Sequence, residues 1–150
     1  MSRDVVGAVL VALQLSAMAL LALLALPAFA ARTAPPAAWA LAALALGVGG
    51  WALSANRPGN FDIRPAPRVD GRLVQTGPYR WVRHPMYSAV LAGALAAVLA
   101  APAVSSVAAA GVLATVLLVK SVLEERWMLR QHPGYAAYRR RTRRFVPWLF

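Results

Sequence analysis

Two short stretches hold most of the residues able to do chemistry in this chain. The first, GPYRWVRHPMYSAV at 77–90, sets Arg83, His84, Pro85 and Tyr87 directly before a long run of Ala, Leu and Val. The second, EERWMLRQHPGYAAY at 124–138, opens with Glu124 and Glu125, the only acidic residues after Asp70. An imidazole exchanges protons near neutral pH. A carboxylate accepts a proton or holds a cation, and a guanidinium clamps a carboxylate. Ionisable groups at the edge of an apolar segment are costly and usually have a reason. The plain alternative is that Tyr, Trp and Arg anchor helices at a membrane interface. A Lys120–Glu124 pair at i,i+4 would account for one glutamate and leave Glu125 unexplained.

The elements that must position these residues are apolar. The chain has 150 residues, 60% of them hydrophobic, and a mean hydropathy of +0.57. Soluble domains average nearer 45–50% apolar, so the composition points to an all-α integral membrane protein forming a single domain. About 20 apolar residues span a bilayer core of ~30 Å as helix. Four segments qualify as spans or near-spans: 5–31, 37–55, 86–101 and 103–123. Pro102 separates the last two as a tight turn between antiparallel helices. The 86–101 segment has about 24 Å of rise, short for a bilayer. Its His84 end is therefore expected slightly inside the apolar boundary. Pro85 suits the first turn of that helix, with His84 as its cap. The sequence LPAFAA at 26–31 resembles a signal-peptidase site after Ala30, but the apolar run before it exceeds a signal h-region. Gly47, Gly49, Gly50 and Gly93 are expected to be close-packing surfaces.

The net charge of +11 is concentrated. Six arginines lie in the 56–84 loop, and Lys120 and seven arginines lie from 120 to 144. Because these blocks flank apolar helices, they read as facing anionic lipid rather than nucleic acid. The positive-inside rule then makes the 56–84 loop, the 124–150 tail and both termini cytoplasmic, in what we expect to be a bacterial inner membrane. Without cysteine, disulfides, thiolate nucleophiles and cysteine-ligated metals are excluded.

A hairpin of the third and fourth spans brings His84 and Glu124 to the same membrane face. The loop and the tail would roof a pocket with carboxylates on one wall and arginine on another. Tyr79, Trp81, Tyr87, Trp127 and Tyr135 lie within reach of it. Such a pocket suits a ligand carrying both an ammonium and a carboxylate, plus a flat ring or a sulfonium, since aromatic faces stabilise sulfonium-like cations as they do ammonium groups.

These same residues carry a resemblance. LVQTGPYRWVRHPMYSAV, followed after the hairpin by EERWMLRQHPGYAAYRRRTRRFVPWLF, is similar to the isoprenylcysteine carboxyl methyltransferase family and to the related phospholipid N-methyltransferases. The shared elements are Arg83, His84, Pro85 and Tyr87, then Glu124 and Glu125, then Gly134, Tyr138 and Pro147. The resemblance covers roughly residues 56 to 150 and implies a membrane enzyme that binds S-adenosylmethionine between the hairpin ends and the tail. It implies His84, Tyr87, Glu124 and Glu125 as cofactor contacts, with Tyr79, Arg83 and Tyr138 as weaker candidates. No GxGxxG loop of the soluble methyltransferases is present. Relatives that methylate phospholipids tend to carry glycine two places after the tyrosine, whereas Ala89 stands here, and its methyl is expected to narrow the pocket.

Methyl transfer is an in-line displacement that needs alignment and exclusion of water, and no metal. A carboxylate acceptor would want an arginine, Arg83 or Arg139. An amine acceptor would lose a proton to Glu125 or His84. A thiol acceptor would want its thiolate beside positive charge. The acceptor is expected to be a lipid or a lipophilic or amphiphilic small molecule. The rival reading is a non-catalytic membrane scaffold that keeps the fold. Reduction of a sterol-like double bond ranks below both, since nothing marks a nicotinamide site.

Overall fold

The computed structural model describes residues 3–56 and 73–149. Most of the expected 56–84 loop, including Arg57, Arg64, Arg68 and Arg72, lies outside the described residues. The elements are α1 (Arg3–Ala30), α2 (Pro36–Ala55), a 3₁₀ turn (Gly77–Arg80), α3 (Pro85–Ala100), α4 (Val104–Gln131) and α5 (Tyr135–Arg141). Among the described residues there is no strand, and a single parallel bridge joins Val82 to Arg143.

Local chemistry explains the boundaries. α2 and α3 both start on proline, at Pro36 and Pro85, where the missing N–H costs nothing. α1 ends where Arg32 takes a left-handed φ of 57°, and Thr33 and Ala34 donate back to the Ala28 carbonyl. α4 ends at Gln131 because His132 precedes Pro133 and is driven to extended geometry. It therefore runs unbroken through Glu124 and Glu125. His84 sits before α3 as expected, but its side chain makes no cap hydrogen bond. The ring is engaged elsewhere.

Helices over Val5–Ala30, Pro36–Ala55 and Val104–Gln131 are long and apolar enough to cross a bilayer. α3, with 16 residues, is apolar but shorter. The protein is thus an all-helical integral membrane protein, with three full-length spans and one short apolar helix among the described residues. α3 is central and packs against α1, α2 and α4, while α1 also packs along α4. The core joins Ala17, Leu21 and Ala25 of α1 to Ala94 and Ala97 of α3 and Ala109, Leu113 and Leu117 of α4. Leu23, Leu46 and Val104 point outward, as lipid-facing positions do.

Small residues let α2 and α3 approach closely. A Cβ placed on Gly49 would meet the Ala89 methyl at 3.6 Å, and one on Gly93 would meet Ala45 at 3.7 Å. Gly47 and Gly50 have nothing within 4 Å, so only part of the expected glycine surface is used within the chain. The Ala89 methyl lies in this helix contact, which corrects the expectation that it narrows a pocket. Gly77 is required where it stands: its φ is +57°, and a Cβ there would fall 2.7 Å from that of Ala55.

Candidate functional site

Three segments converge at one end of the α3–α4 pair. The 81–84 segment leads into α3, α4 carries the two glutamates, and the residues after α5 return across both. The return is fixed by backbone hydrogen bonds. Arg83 N–H donates to the Arg143 carbonyl at 2.8 Å, Arg143 N–H to Trp81 at 2.9 Å, and His84 N–H to Arg144 at 3.1 Å. Ser88 Oγ donates to the Phe145 carbonyl at 2.6 Å, and Tyr138 Oη to the Tyr79 carbonyl at 2.7 Å. Thr142 Oγ1 closes α5 on the Tyr138 carbonyl at 2.7 Å.

Glu125 is the hub beneath this roof. Its side chain is 3% exposed and faces four cationic or potentially cationic groups. Arg83 Nε lies 2.9 Å from Oε1. Arg144 reaches both oxygens, Nε at 3.1 Å from Oε1 and Nη2 at 3.3 Å from Oε2. Arg139 Nε lies 3.5 Å from Oε2, and His84 Nε2 lies 3.3 Å from Oε1. Arg83 also donates through Nη1 to the carbonyls of Thr142 at 2.5 Å and Arg139 at 3.2 Å. A carboxylate so surrounded is held as the anion.

Glu124 has different company. It accepts a hydrogen bond from Tyr87 Oη, and its Oε2 lies 3.3 Å from His84 Nδ1. Its side chain is 21% exposed. His84 thus bridges the two carboxylates, one to each ring nitrogen, and stacks parallel to Tyr87 at 5.4 Å between centroids. Phe145 meets the His84 ring edge-on at 5.9 Å. Burial pushes the His84 imidazole down, but hydrogen bonds and charge from Glu124 and Glu125 outweigh it, so its pKa lies above the ordinary histidine value. Protonated, it donates from both nitrogens, one to each carboxylate.

This geometry weighs against two of the expected roles. Arg83 commits its Nε to Glu125 and its Nη1 to two carbonyls, which ties it to the tail. Glu125 and His84 are poor proton acceptors, one locked among guanidinium groups and the other shifted toward its imidazolium form. Arg139, whose side chain is 49% exposed, is the reachable cation.

Tyr79 and Tyr138 form a second layer. The Tyr79 hydroxyl is pushed up by burial and by the Glu124 charge, and that of Tyr138 mainly by burial, so both stay protonated. Tyr135 packs against Tyr138, and burial raises its pKa as well. Trp81 turns to the α2 side and packs edge-on against Trp51 at 5.5 Å.

Several participants escaped the sequence reading: Ser88, Thr142, Arg144 and Phe145 in the roof, and a polar pair below it. Lys120 is 1% exposed. It donates to Gln14 Oε1 of α1 at 2.6 Å, and its ammonium lies 5.4 Å from the Tyr87 ring centroid. The one available signal was Gln14 itself, an amide in an otherwise apolar span.

Fold and site together define a helical membrane protein with an ionised cluster built at the end of a hairpin. The phospholipid methyltransferase family matches the chain over residues 37–133, which takes in α2, α3, α4, His84, Tyr87 and both glutamates. The protein belongs to this family of membrane methyltransferases. No individual characterised protein and no solved structure matches it. α1, with Gln14, and the roof-forming tail lie beyond the matched segment.

Proposed function

We propose that the protein is an S-adenosylmethionine-dependent methyltransferase acting on a lipophilic or amphiphilic acceptor at the cytoplasmic face of the membrane. The observation that carries this reading is the Glu124–His84–Tyr87 cluster, which stands at the end of the hairpin within the family match. The residues present suit the cofactor's chemistry. Glu124, partly exposed, can hold an ammonium or a hydroxyl, and Arg139 can hold a carboxylate. The rings of Tyr87, His84 and Phe145 are close together beside Glu124. Tyr79 and Tyr138 support the wall. S-adenosylmethionine, when bound, supplies an activated methyl group.

The chain's own contribution is alignment and exclusion of water. Glu125 and its arginines hold the tail over the site, Tyr87 orients Glu124, and Phe145 covers the imidazole. With Glu125 and His84 engaged, no strong base among the described residues faces the site. An acceptor that reacts as a preformed anion, or as a nucleophile already neutral, therefore asks least of these residues. The concentration of arginine in 56–84 and in the tail supports a cytoplasmic position for this end and for both termini.

Labelled methyl transfer in membrane extract containing the protein tests the reading. Label appearing in one lipid-soluble product, which is then identified, is expected. No label above a heat-inactivated control would contradict it.

A further inference from the structure

The last described residues of the chain behave unlike the rest of the tail. Phe145 is buried on His84, and its carbonyl accepts from Ser88 in the first turn of α3. Three residues later, within about 10 Å of chain, Trp148 is 85% exposed and Leu149 is 83% exposed. Leu149 N–H donates to the Val146 carbonyl at 3.3 Å, and Trp148 holds a left-handed φ of 63°, uncommon for a bulky residue. This turn throws both apolar side chains away from the protein. It follows Phe145, which is pinned to the first turn of α3, where the apolar segment begins. Arg140 and Arg143, just before it, are exposed as well.

An indole with an aliphatic neighbour and adjacent arginines is suited to one environment. The ring settles at the bilayer interface, and the arginines meet anionic headgroups. Water would leave the apolar area unburied, and a nucleic acid would leave Leu149 without a role. The same segment carries Arg144 to Glu125 and Phe145 to His84, so whatever holds the tip also holds the roof.

We propose that Trp148 and Leu149, flanked by Arg140 and Arg143, dock the tail on an anionic lipid surface, and that this docking keeps the candidate site closed. The second half rests on the methyltransferase reading; the first does not.

The test uses the full chain in nanodiscs of phosphatidylcholine, with or without phosphatidylglycerol. With acyl-brominated lipid, the share of tryptophan emission that a Trp148→Phe variant lacks is expected to be quenched. If that share is not quenched, or if crosslinking from position 148 joins two copies of the chain, the docking is overturned. Calorimetry with S-adenosylhomocysteine is expected to show about fivefold tighter binding in the anionic discs, the effect of one arginine meeting an anionic surface. The gain should vanish in Arg140→Gln/Arg143→Gln. Equal affinity in both discs overturns the coupling. Absence of binding in every disc sinks the methyltransferase reading and, with it, the coupling, while quenching still decides the docking.

Discussion

Glu124 and Glu125 are neighbours on α4, yet they serve different surroundings. Glu125 points into a cage of Arg83, Arg139 and Arg144 and is 3% exposed. Glu124, 21% exposed, bonds to His84 and Tyr87 among the described residues. One residue of helical rotation, 100° of turn, separates a structural lock from a group able to greet a ligand. A paired carboxylate motif therefore need not mean paired catalytic carboxylates. Here one carboxylate fastens the roof, and the other is the one we propose to bind the ligand.

The largest expected effect tests the lock. Glu125→Gln leaves buried guanidinium groups facing a neutral amide, and breaking a buried pair costs about 3–5 kcal/mol. The variant should melt far below wild type and release the tail to protease, as thermal unfolding in detergent and limited proteolysis would show. A monodisperse, equally stable Glu125→Gln protein would place Glu125 among the ligand contacts. Glu124→Gln should do the reverse. Its melting temperature should fall much less than that of Glu125→Gln, while affinity for S-adenosylhomocysteine falls at least about tenfold, the loss of a hydrogen bond to a charged group.

Tyr87→Phe sharpens the same contrast at smaller scale. It removes the hydroxyl that orients Glu124 and keeps the ring over which Lys120 lies. We expect about 1 kcal/mol of lost stability and weaker cofactor binding, both measurable in the experiments above.

The pH response tests the bridge between the two glutamates. The folded-state pKa of His84 lies above its ordinary value of about 6.5. Its contribution to stability is fully present below the unfolded value and is lost as pH rises through the folded one. The melting temperature should fall across that alkaline-going window, and His84→Gln should flatten the fall.

Much of this was legible in the sequence. The helices at 5–31 and 37–55, the prolines that open α2 and α3, and the His132-Pro133-Gly134 stop are matters of local composition and backbone sterics. The meeting of His84 with Glu124 and Glu125 follows from a hairpin with a short turn. A tail roofing the site was expected, but the way it is pinned was not legible, because backbone hydrogen bonds from 81–84 to 143–144 hold it and such bonds carry no side-chain signature. Nor does a run of arginines reveal which member turns inward. In the extended segment after α5, Arg143 faces out and Arg144 turns to Glu125, an alternation set by the register of that pairing. The Lys120–Gln14 bond joins residues 106 apart and depends on how α1 lies along α4. Ala89 was misread for the same reason, since helix rotation points its methyl at Gly49.

The smallest expected effects lie at the rim and in the helix contact. Arg139→Ala should cost at most about 1 kcal/mol of stability, as exposed pairs do, while weakening cofactor binding. Ala89→Gly should lower stability by about 1 kcal/mol or less and leave acceptor preference unchanged. A changed preference would return Ala89 to the pocket wall.

The most direct test of the central claim is calorimetric titration of the purified protein in detergent with S-adenosylhomocysteine, with Glu124→Gln titrated beside it. Saturable heat in the wild type, lost in a variant that remains folded at the titration temperature, is the expected result. No heat in the wild type, or equal heat in both proteins, would contradict the account.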